Sequence, residues 1–413
     1  FWLKHPISRS SFPRLAAAMS AADVEDAAWL SGVLGRQVAC CKLDEQDLAK
    51  LSDATSLRWM SVEFADGGRA RLVLKTAKAG DGKSILYGLA REGLFFSHWS
   101  ELAPSGDAAL CQLGSVMPRV YHATGDMATG RKMVLMEDLA SCAQAGHFFG
   151  AGNPNNWGRD LDALQKGFQL SPTEATRLCC SAAARLHAAH WGCDGVSGAG
   201  PLPWLRGAAW LAGKERGAWE ASQAEVATMW AKIREGLAGG SCAVKIDQLL
   251  VDLLDASIAK ASWDEFQAEL TSRPRSLTHG DFHPANFMVR PMNGAGEHTV
   301  VLIDWEMVGV GSGPQDIGQF MISHTSPQLR ASLERGVVES YHSELRSLNP
   351  SIRMTLDECW AEYVAGGLGR WLWFVPLLVT MCPPAAGQYF VDQVQAFAQA
   401  HGVTAETVPM PRA

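Results

Sequence analysis

His279-Gly280-Asp281-Phe282-His283-Pro284-Ala285-Asn286, followed after a hairpin by Val301-Leu302-Ile303-Asp304-Trp305-Glu306, is the stretch on which the reading of this chain turns. Strand pieces over 287–290 and 299–303, with Asn293-Gly294-Ala295-Gly296 as their turn, return the chain so that Asp304 ends the second strand. The stretch thus offers an aspartate, an asparagine five places on, and a second aspartate. Phosphoryl transfer needs an acidic group to accept a hydroxyl proton and oxygen ligands that hold magnesium against phosphates. Asp281 suits the first need, and Asn286 and Asp304 the second. His283, two places after Asp281, either points its imidazole toward a transferred phosphoryl group or is a structural loop histidine.

Upstream, two runs at 56–64 and 69–75 flank Ala65-Asp66-Gly67-Gly68, a turn between strands. The apolar spacing of 85–102 predicts a helix carrying Glu92, a loop follows near 104–107, and 116–122 and 133–136 read as further strands. This is a small α+β lobe. The Gly- and Asn-rich stretch 141–169 hands over to a second lobe. There Ser171-Pro172-Thr173-Glu174 forms a capping box with proline at the first helical position, opening a helix to Trp191. Helical patterns then occupy 208–268, 328–345 and 356–378. The expected organisation is 1–20 as a targeting or extension segment, 21–140 as an N-terminal nucleotide-binding lobe, and 141–413 as a mainly helical catalytic and acceptor-binding lobe.

A chain of 413 residues exceeds the size at which one core keeps growing, which agrees with two lobes. With 47% hydrophobic and 19% charged residues, it has the composition of a globular protein. The 36 Lys plus Arg against 43 Asp plus Glu give a net charge of -7, which leaves no basic footprint for nucleic acid. The ten cysteines include the adjacent pairs Cys40-Cys41 and Cys179-Cys180, which fit neither redox nor zinc spacing, so reduced thiols in a reducing compartment are expected. Residues 1–20 hold Lys4, Arg9 and Arg14 with several serines and no acidic residue, as organelle transit peptides do; the alternative is an extension ahead of Met19. A cytoplasmic or organelle location is expected, and no transmembrane span: Trp371 to Cys382 is too short and ends at Pro383-Pro384.

The segment from His279 to Glu306 resembles the catalytic loop of the aminoglycoside phosphotransferase and choline kinase superfamily. Asp304-Trp305-Glu306 with Gly309, Gly311, Gly313 and Asp316 is similar to the pattern of its ecdysteroid-kinase-like branch. Arg71-Leu72-Val73-Leu74-Lys75 resembles the strand with the ATP-binding lysine, and Arg91-Glu92-Gly93-Leu94-Phe95-Phe96 the helix with its glutamate partner. Val134-Leu135-Met136-Glu137-Asp138-Leu139 resembles the adenine-binding hinge, and Ala184-Arg185-Leu186-His187-Ala188 the helix before the catalytic loop.

The resemblance implies a bilobal protein-kinase-like fold of the α+β class, with a small antiparallel-sheet lobe and a larger helical one. It implies a phosphotransferase using ATP and Mg2+ on a hydroxyl of a small molecule. In it Asp281 is the base with His283 beside it, Asn286 and Asp304 hold metal, and Lys75 and Glu92 orient phosphates. Met136, Glu137 and Leu139 line the hinge, and Asp316 braces the loop. The stretch Leu51-Ser52-Asp53-Ala54-Thr55-Ser56 stands where a glycine-rich phosphate loop is expected and has no glycine, so hydroxyl and backbone groups of Thr55 and Ser56 would serve instead. That departure sustains an alternative reading as a catalytically weak nucleotide-binding pseudokinase or scaffold. Gly280 in place of an arginine and the lack of an A-P-E segment speak against a protein kinase. Trp360, Glu362, Tyr363, Arg370, Trp371, Trp373 and Phe374 are the acceptor-binding candidates, suited to a cationic amine or a flat apolar ring; the same aromatics equally suit a packed helical core. The sequence leaves open the acceptor and the oligomeric state.

Overall fold

The computed structural model describes residues 23–44, 55–98, 114, 116–192, 202–292, 294 and 296–412. The expected targeting segment 1–20, the stretch 51–54, the loop at 104–107 and residues 293 and 295 of the 293–296 turn lie outside the described residues. Contacts divide the chain into two compact units. One takes Phe1–Ser100, Pro118–Ser141 and Asp304–Met307; the other takes Glu101–Met117, Cys142–Ile303 and Val308–Ala413.

The first unit contains, in order, α1 (Ala27–Leu34), β1 (Val38–Leu43), β2 (Thr55–Phe64), β3 (Arg69–Ala77), α2 (Gly82–Tyr87), α3 (Ala90–Ser97), β4 (Val120–Asp126) and β5 (Arg131–Glu137). The strands form one antiparallel sheet of order β1-β2-β3-β5-β4. Met60 and Val62 of β2, Leu72 and Leu74 of β3, and Leu135 of β5 pack with Leu30 of α1 into a core, each set two residues apart as one sheet face requires. The β2–β3 hairpin turns at Ala65–Gly68, where Gly67 adopts φ 82° and the Phe64 N–H donates to Gly68 O.

The helix expected over 85–102 is two helices in its described part. Gly88 takes φ 64° and its N–H donates back to Ser84 O and Ile85 O, so α2 ends in a left-handed cap that glycine adopts without steric cost. The chain then restarts as α3, which lies against β4 at backbone contact distance. A Cβ on Gly93 would come within 2.1 Å of Thr124 O, and one on Gly125 within 2.2 Å of Ala90 O. This glycine pair sets how closely the helix bearing Glu92 approaches the sheet.

The second unit is mainly helical. Its elements are β6 (Ala143–Gln144), α4 (Leu161–Leu164), α5 (Pro172–Ala189), α6 (Ala208–Leu211), α7 (Arg216–Ala238), α8 (Gln248–Ala259), α9 (Trp263–Ser272), β7 (Ser276–Thr278), β8 (Phe287–Val289), β9 (Val300–Leu302), β10 (Gly309–Gly311), α10 (Gly313–Ser323), α11 (Pro327–Leu348), α12 (Leu356–Met381) and α13 (Pro384–Ala400). The β6-β8-β9 sheet and the β7–β10 pair flank the segment from Thr278 to Phe287. Helix α5 carries the expected capping box, with the Ser171 hydroxyl accepting from Glu174 N–H and Glu174 returning to Ser171 N–H. Helices α10 and α12 also meet backbone to backbone: a Cβ on Gly318 would lie 2.4 Å from Tyr363 O.

The stretch Trp371 to Cys382 is the C-terminal part of the longer α12. That helix has the length and hydropathy of a membrane span, and 61% of its apolar window is buried inside the protein, as in a core helix. Pro376 lies within it, and Pro383-Pro384 separate it from α13. Among the described residues, the cysteines at 40, 41, 142, 179, 180, 242, 359 and 382 are free thiols.

The close approach of α3 to β4 makes a stability prediction. Gly93→Ala should destabilise the protein by about 2 kcal/mol through overpacking against main-chain atoms. Gly32→Ala, where an added Cβ meets nothing within 4 Å, should instead stabilise by about 0.5 kcal/mol. Denaturant unfolding of both variants checks this, and a Gly93→Ala protein as stable as the native one would contradict it.

Candidate active site

The first unit gathers five charged side chains at one place. Lys75 Nζ on β3 lies 2.8 Å from Glu92 Oε2, 2.7 Å from Asp304 Oδ1 and 3.2 Å from Glu306 Oε1. Lys132 Nζ on β5 meets Glu92 Oε2 at 2.7 Å and also contacts Glu306 Oε1. The expected Lys75–Glu92 pair is therefore present, joined by Lys132 and Glu306, which the sequence reading had not placed in the site.

The segment from Asp304 to Met307 is held through α3. Trp305 stacks on Phe95 at 4.2 Å, its N–H donates to Glu92 Oε1 at 3.4 Å, and Arg91 donates to Glu306 O at 2.6 Å. Asp304 itself adopts φ 67°, a left-handed conformation that costs a non-glycine residue on the order of 1 kcal/mol and that aspartate tolerates better than most.

Three carboxylates share two ammonium groups, and the charge states follow. Burial alone would lower Lys75, but Asp304, Glu306 and Glu92 outweigh it and hold Lys75 well above its ordinary value. Burial would raise Glu92, yet Lys132 and Lys75 bring it down to about 2. Asp304 shifts the other way: burial raises it, Lys75 opposes, and the negative charges of Glu306 and Glu92 add to the rise. A lowered Asp304 would be the ordinary result of contact with Lys75. The excess of carboxylates explains why the contact does not produce it, and Asp304 is the member least compensated by lysine.

The other first-unit candidates lie along the same sheet. Thr55 and Ser56 begin β2 and pair with Ala77 and Thr76, just beyond Lys75 on β3. Met136 and Glu137 end β5. The Glu137 N–H donates to Arg119 O, and its Oε1 accepts from Arg119 N–H, so both groups are engaged within the sheet. Leu139 follows as a buried side chain.

In the second unit, the loop from His279 to Asn286 is fixed mainly through its backbone. Asp316, fully buried on α10, accepts from His279 N–H at 2.8 Å and Gly280 N–H at 3.4 Å. His187 of α5 approaches the same carboxylate at 3.4 Å and meets the Tyr341 hydroxyl at 2.8 Å. His279 Nε2 donates to Ile303 O while its Nδ1 accepts from Asp281 N–H, which sets the ring tautomer. Gly280 turns the loop at φ 77°, and its carbonyl accepts from buried Arg370 at 3.3 Å. Phe282 is fully buried against Phe287 and Phe320.

These contacts leave Asp281 half-buried with its carboxylate presented. Asn286 Nδ2 donates to Asp281 O at 2.9 Å and to Oδ2 at 3.2 Å, and Gln319 Nε2 lies 3.5 Å from Oδ1. His283 Nε2 is 3.5 Å from Oδ2, and its ring stacks on His324 at 5.4 Å. Burial would raise Asp281, but the neighbouring His283, His279 and Arg370 outweigh it and hold the carboxyl well below the usual range. Gln319 carries no signal in the sequence beyond its position three places after Asp316, close to one helical turn.

The acceptor candidates on α12 are not gathered at one place. Trp360, Glu362 and Tyr363 serve helix packing: Tyr363 is fully buried with its hydroxyl on Glu334 at 2.9 Å, Trp360 packs on Tyr363 and His401, and Glu362 pairs with Arg273 at 2.9 Å. Eleven residues of helix, about 16 Å, separate Trp360 from Trp371. Trp371 donates to Gln319 O and stacks on Phe390, while Trp373 donates to Ser222 and lies beside Arg370. Of these residues, Trp371 and Trp373 reach groups that support the catalytic loop, and Arg370, beside Trp373, bonds the loop directly at Gly280 O.

A family model described as the phosphotransferase enzyme family matches residues 107–350. The match covers more than half of the chain, and the chain belongs to that family. No curated protein matches it. Similar solved structures include a choline/ethanolamine kinase family protein from Mesorhizobium loti, at 15% identity over 89% of this chain and 90% of that one, with a TM-score of 0.42. They also include a choline kinase from Cryptosporidium parvum, at 10% identity over 88% and 89%, with a TM-score of 0.47. A third is an aminoglycoside 2'-phosphotransferase in a GDP complex, at 9% identity over 89% and 93%, with a TM-score of 0.42. Family membership bears out the superfamily resemblance of the catalytic loop, without singling out the ecdysteroid-kinase-like branch. The chain is a phosphotransferase.

Two outcomes follow from the buried carboxylates. Asp316→Ala leaves two loop N–H groups without their acceptor, and turnover should fall about a hundredfold while the KM for the phosphoryl donor changes little. Steady-state kinetics on the variant check this split. Glu92 is depressed from an ordinary 4.5 to about 2, so its ion pairs stabilise the fold fully above the unfolded value and lose that contribution as pH falls through the folded one. Acid unfolding curves should therefore steepen between those two values in the native protein and flatten in Glu92→Gln.

Proposed function

We propose that this phosphotransferase moves the γ-phosphoryl group of ATP directly to a hydroxyl of a small molecule, with Mg2+ held by Asp304 and Asn286 and the hydroxyl proton received by Asp281. The observation that carries the proposal is the presented Asp281 carboxylate, held by Asn286 and Gln319 on a loop whose backbone Asp316 fixes.

The donor set suits a hard cation. Carboxylate oxygens of Glu92, Asp304 and Glu306 can all lie within 4.8 Å of one another, and Mg2+ prefers such oxygen ligands. Among them Asp304 is the natural ligand. Glu92 is committed on one oxygen to two lysines and on the other to Trp305 N–H, whereas Asp304 bonds Lys75 alone among the described residues and its side chain is 36% exposed. Bound there, the metal supplies positive charge against the phosphates. Lys75 adds a fixed ammonium, with Met136, Glu137 and Leu139 receiving the adenine; the Thr55 hydroxyl, on the sheet face of Lys75, faces the phosphates, and Ser56 serves through its backbone.

In the transfer step the acceptor oxygen forms a bond to the γ-phosphorus as the β,γ-bridging bond breaks. ADP leaves, and the proton passes to Asp281. A carboxylate held as acidic as Asp281 is a weak base, so its contribution lies in orienting the hydroxyl and taking the proton late. His283 offers a hydrogen bond to the moving phosphoryl group. The acceptor would lie beside Asp281, on a loop that buried Trp371 and Trp373 support through Gln319 and Arg370.

The test is magnesium-dependent ATP turnover against a panel of small hydroxyl compounds. Asp281→Asn should lower kcat by about a thousandfold with nucleotide affinity retained, and Asp304→Ala should remove the metal dependence. An Asp281→Asn rate equal to the native one would contradict the role given to Asp281.

A further inference from the structure

Lys75 and Lys132 share one face of the sheet. In the β3–β5 ladder Lys75 lies opposite Val134 and Lys132 opposite Ala77, so the lysines stand two residues apart along the strands, the spacing that points side chains the same way. The Lys132 side chain is completely enclosed, at 0% exposure, against 7% for Lys75. Both ammonium groups touch the same two oxygens, Glu92 Oε2 and Glu306 Oε1, and only Lys75 reaches Asp304. A single lysine would suffice to position Glu92, so the second has some other consequence.

That consequence lies in the charge balance. Any movement of Lys75 toward phosphates takes it from Glu92 and Glu306, which are buried or half-buried and accept poorly the loss of a counter-ion. With Lys132 in place, each of those carboxylates keeps an ammonium at contact distance while Lys75 moves.

We propose that Lys132 is a positioning residue, the standing counter-ion of Glu92 and Glu306, and that it frees Lys75 to engage the nucleotide phosphates. The inference rests on the phosphate-binding role proposed for Lys75. Lys132 touches no substrate; it acts through the two carboxylates. Without it, Lys75 alone answers three carboxylates and is held away from a fourth anionic partner. Removing Glu306's charge then relieves the same hold, because one of the two carboxylates that Lys132 covers is gone.

The test is binding of a fluorescent methylanthraniloyl-ATP to the full chain, with the native protein, Lys75→Met, Lys132→Met, Glu306→Gln and the double variant Lys132→Met/Glu306→Gln. Lys132→Met should weaken binding at least about tenfold, raising the nucleotide KM more than it lowers kcat, and the double variant should recover most of the loss. Glu306→Gln alone should bind at least as tightly as the native protein. Native-like affinity in Lys132→Met overturns the inference, as does a double variant that binds or folds no better than the single one, or a Glu306→Gln protein weakened tenfold. Lys75→Met separates the two levels: if it too binds like the native protein, the role of Lys75 fails, whereas a weakened Lys75→Met beside an unaffected Lys132→Met removes only the role of Lys132.

Discussion

A carboxylate enclosed by two ammonium groups and a main-chain N–H holds the charged centre of the first unit in place. Glu92 Oε2 meets Lys75 and Lys132, and Oε1 accepts from Trp305. Because one side chain reaches both the sheet and the segment carrying Asp304, the position of α3 fixes the relation between the lysines and the aspartate. The glycine contact of α3 with β4 fixes that position in turn. Such a group is costly to bury unless every lone pair is used, and here both oxygens are.

The second unit uses the same device once more. Asp316 is buried without an exposed atom to spare, and it too accepts main-chain N–H groups, those of His279 and Gly280. Each unit therefore holds one functional segment by a buried carboxylate that grips backbone, while the working carboxylates, Asp304 and Asp281, stay partly exposed. Rigid support and available chemistry are divided between different residues. That division suits a reaction in which positioning and electrostatics supply most of the rate.

Much of this arrangement can be read from the sequence, and the parts that cannot have physical reasons. The spacing of Asp281, Asn286 and Asp304 survives as a loop and hairpin because those positions are local in the chain. The Ser171–Glu174 capping box is equally local. Lys132 falls just ahead of the strand expected over 133–136; only the strand pairing that starts at Arg131 puts the lysine on the inner face. Gly88 inside an apolar helical period hid a left-handed cap that splits one helix into two. The helix at Gly313–Ser323 is not among the helices expected from apolar spacing, although the resemblance gives Asp316 as the brace of the loop, where it lies beneath the catalytic backbone. On α12 the aromatics suit an acceptor surface and a packed core equally; Tyr363 is buried in the core with half-buried Trp360 against it, while Trp371 supports the loop through Gln319. Periodicity alone cannot separate those fates.

The central claim is direct transfer from ATP to a small hydroxyl, and following the terminal phosphate tests it most directly. With γ-labelled ATP, magnesium and an accepted hydroxyl compound, the account predicts that label appears in a small phosphomonoester in step with ADP and that none stays on the protein. Label retained on the chain, or released only as inorganic phosphate, would contradict it.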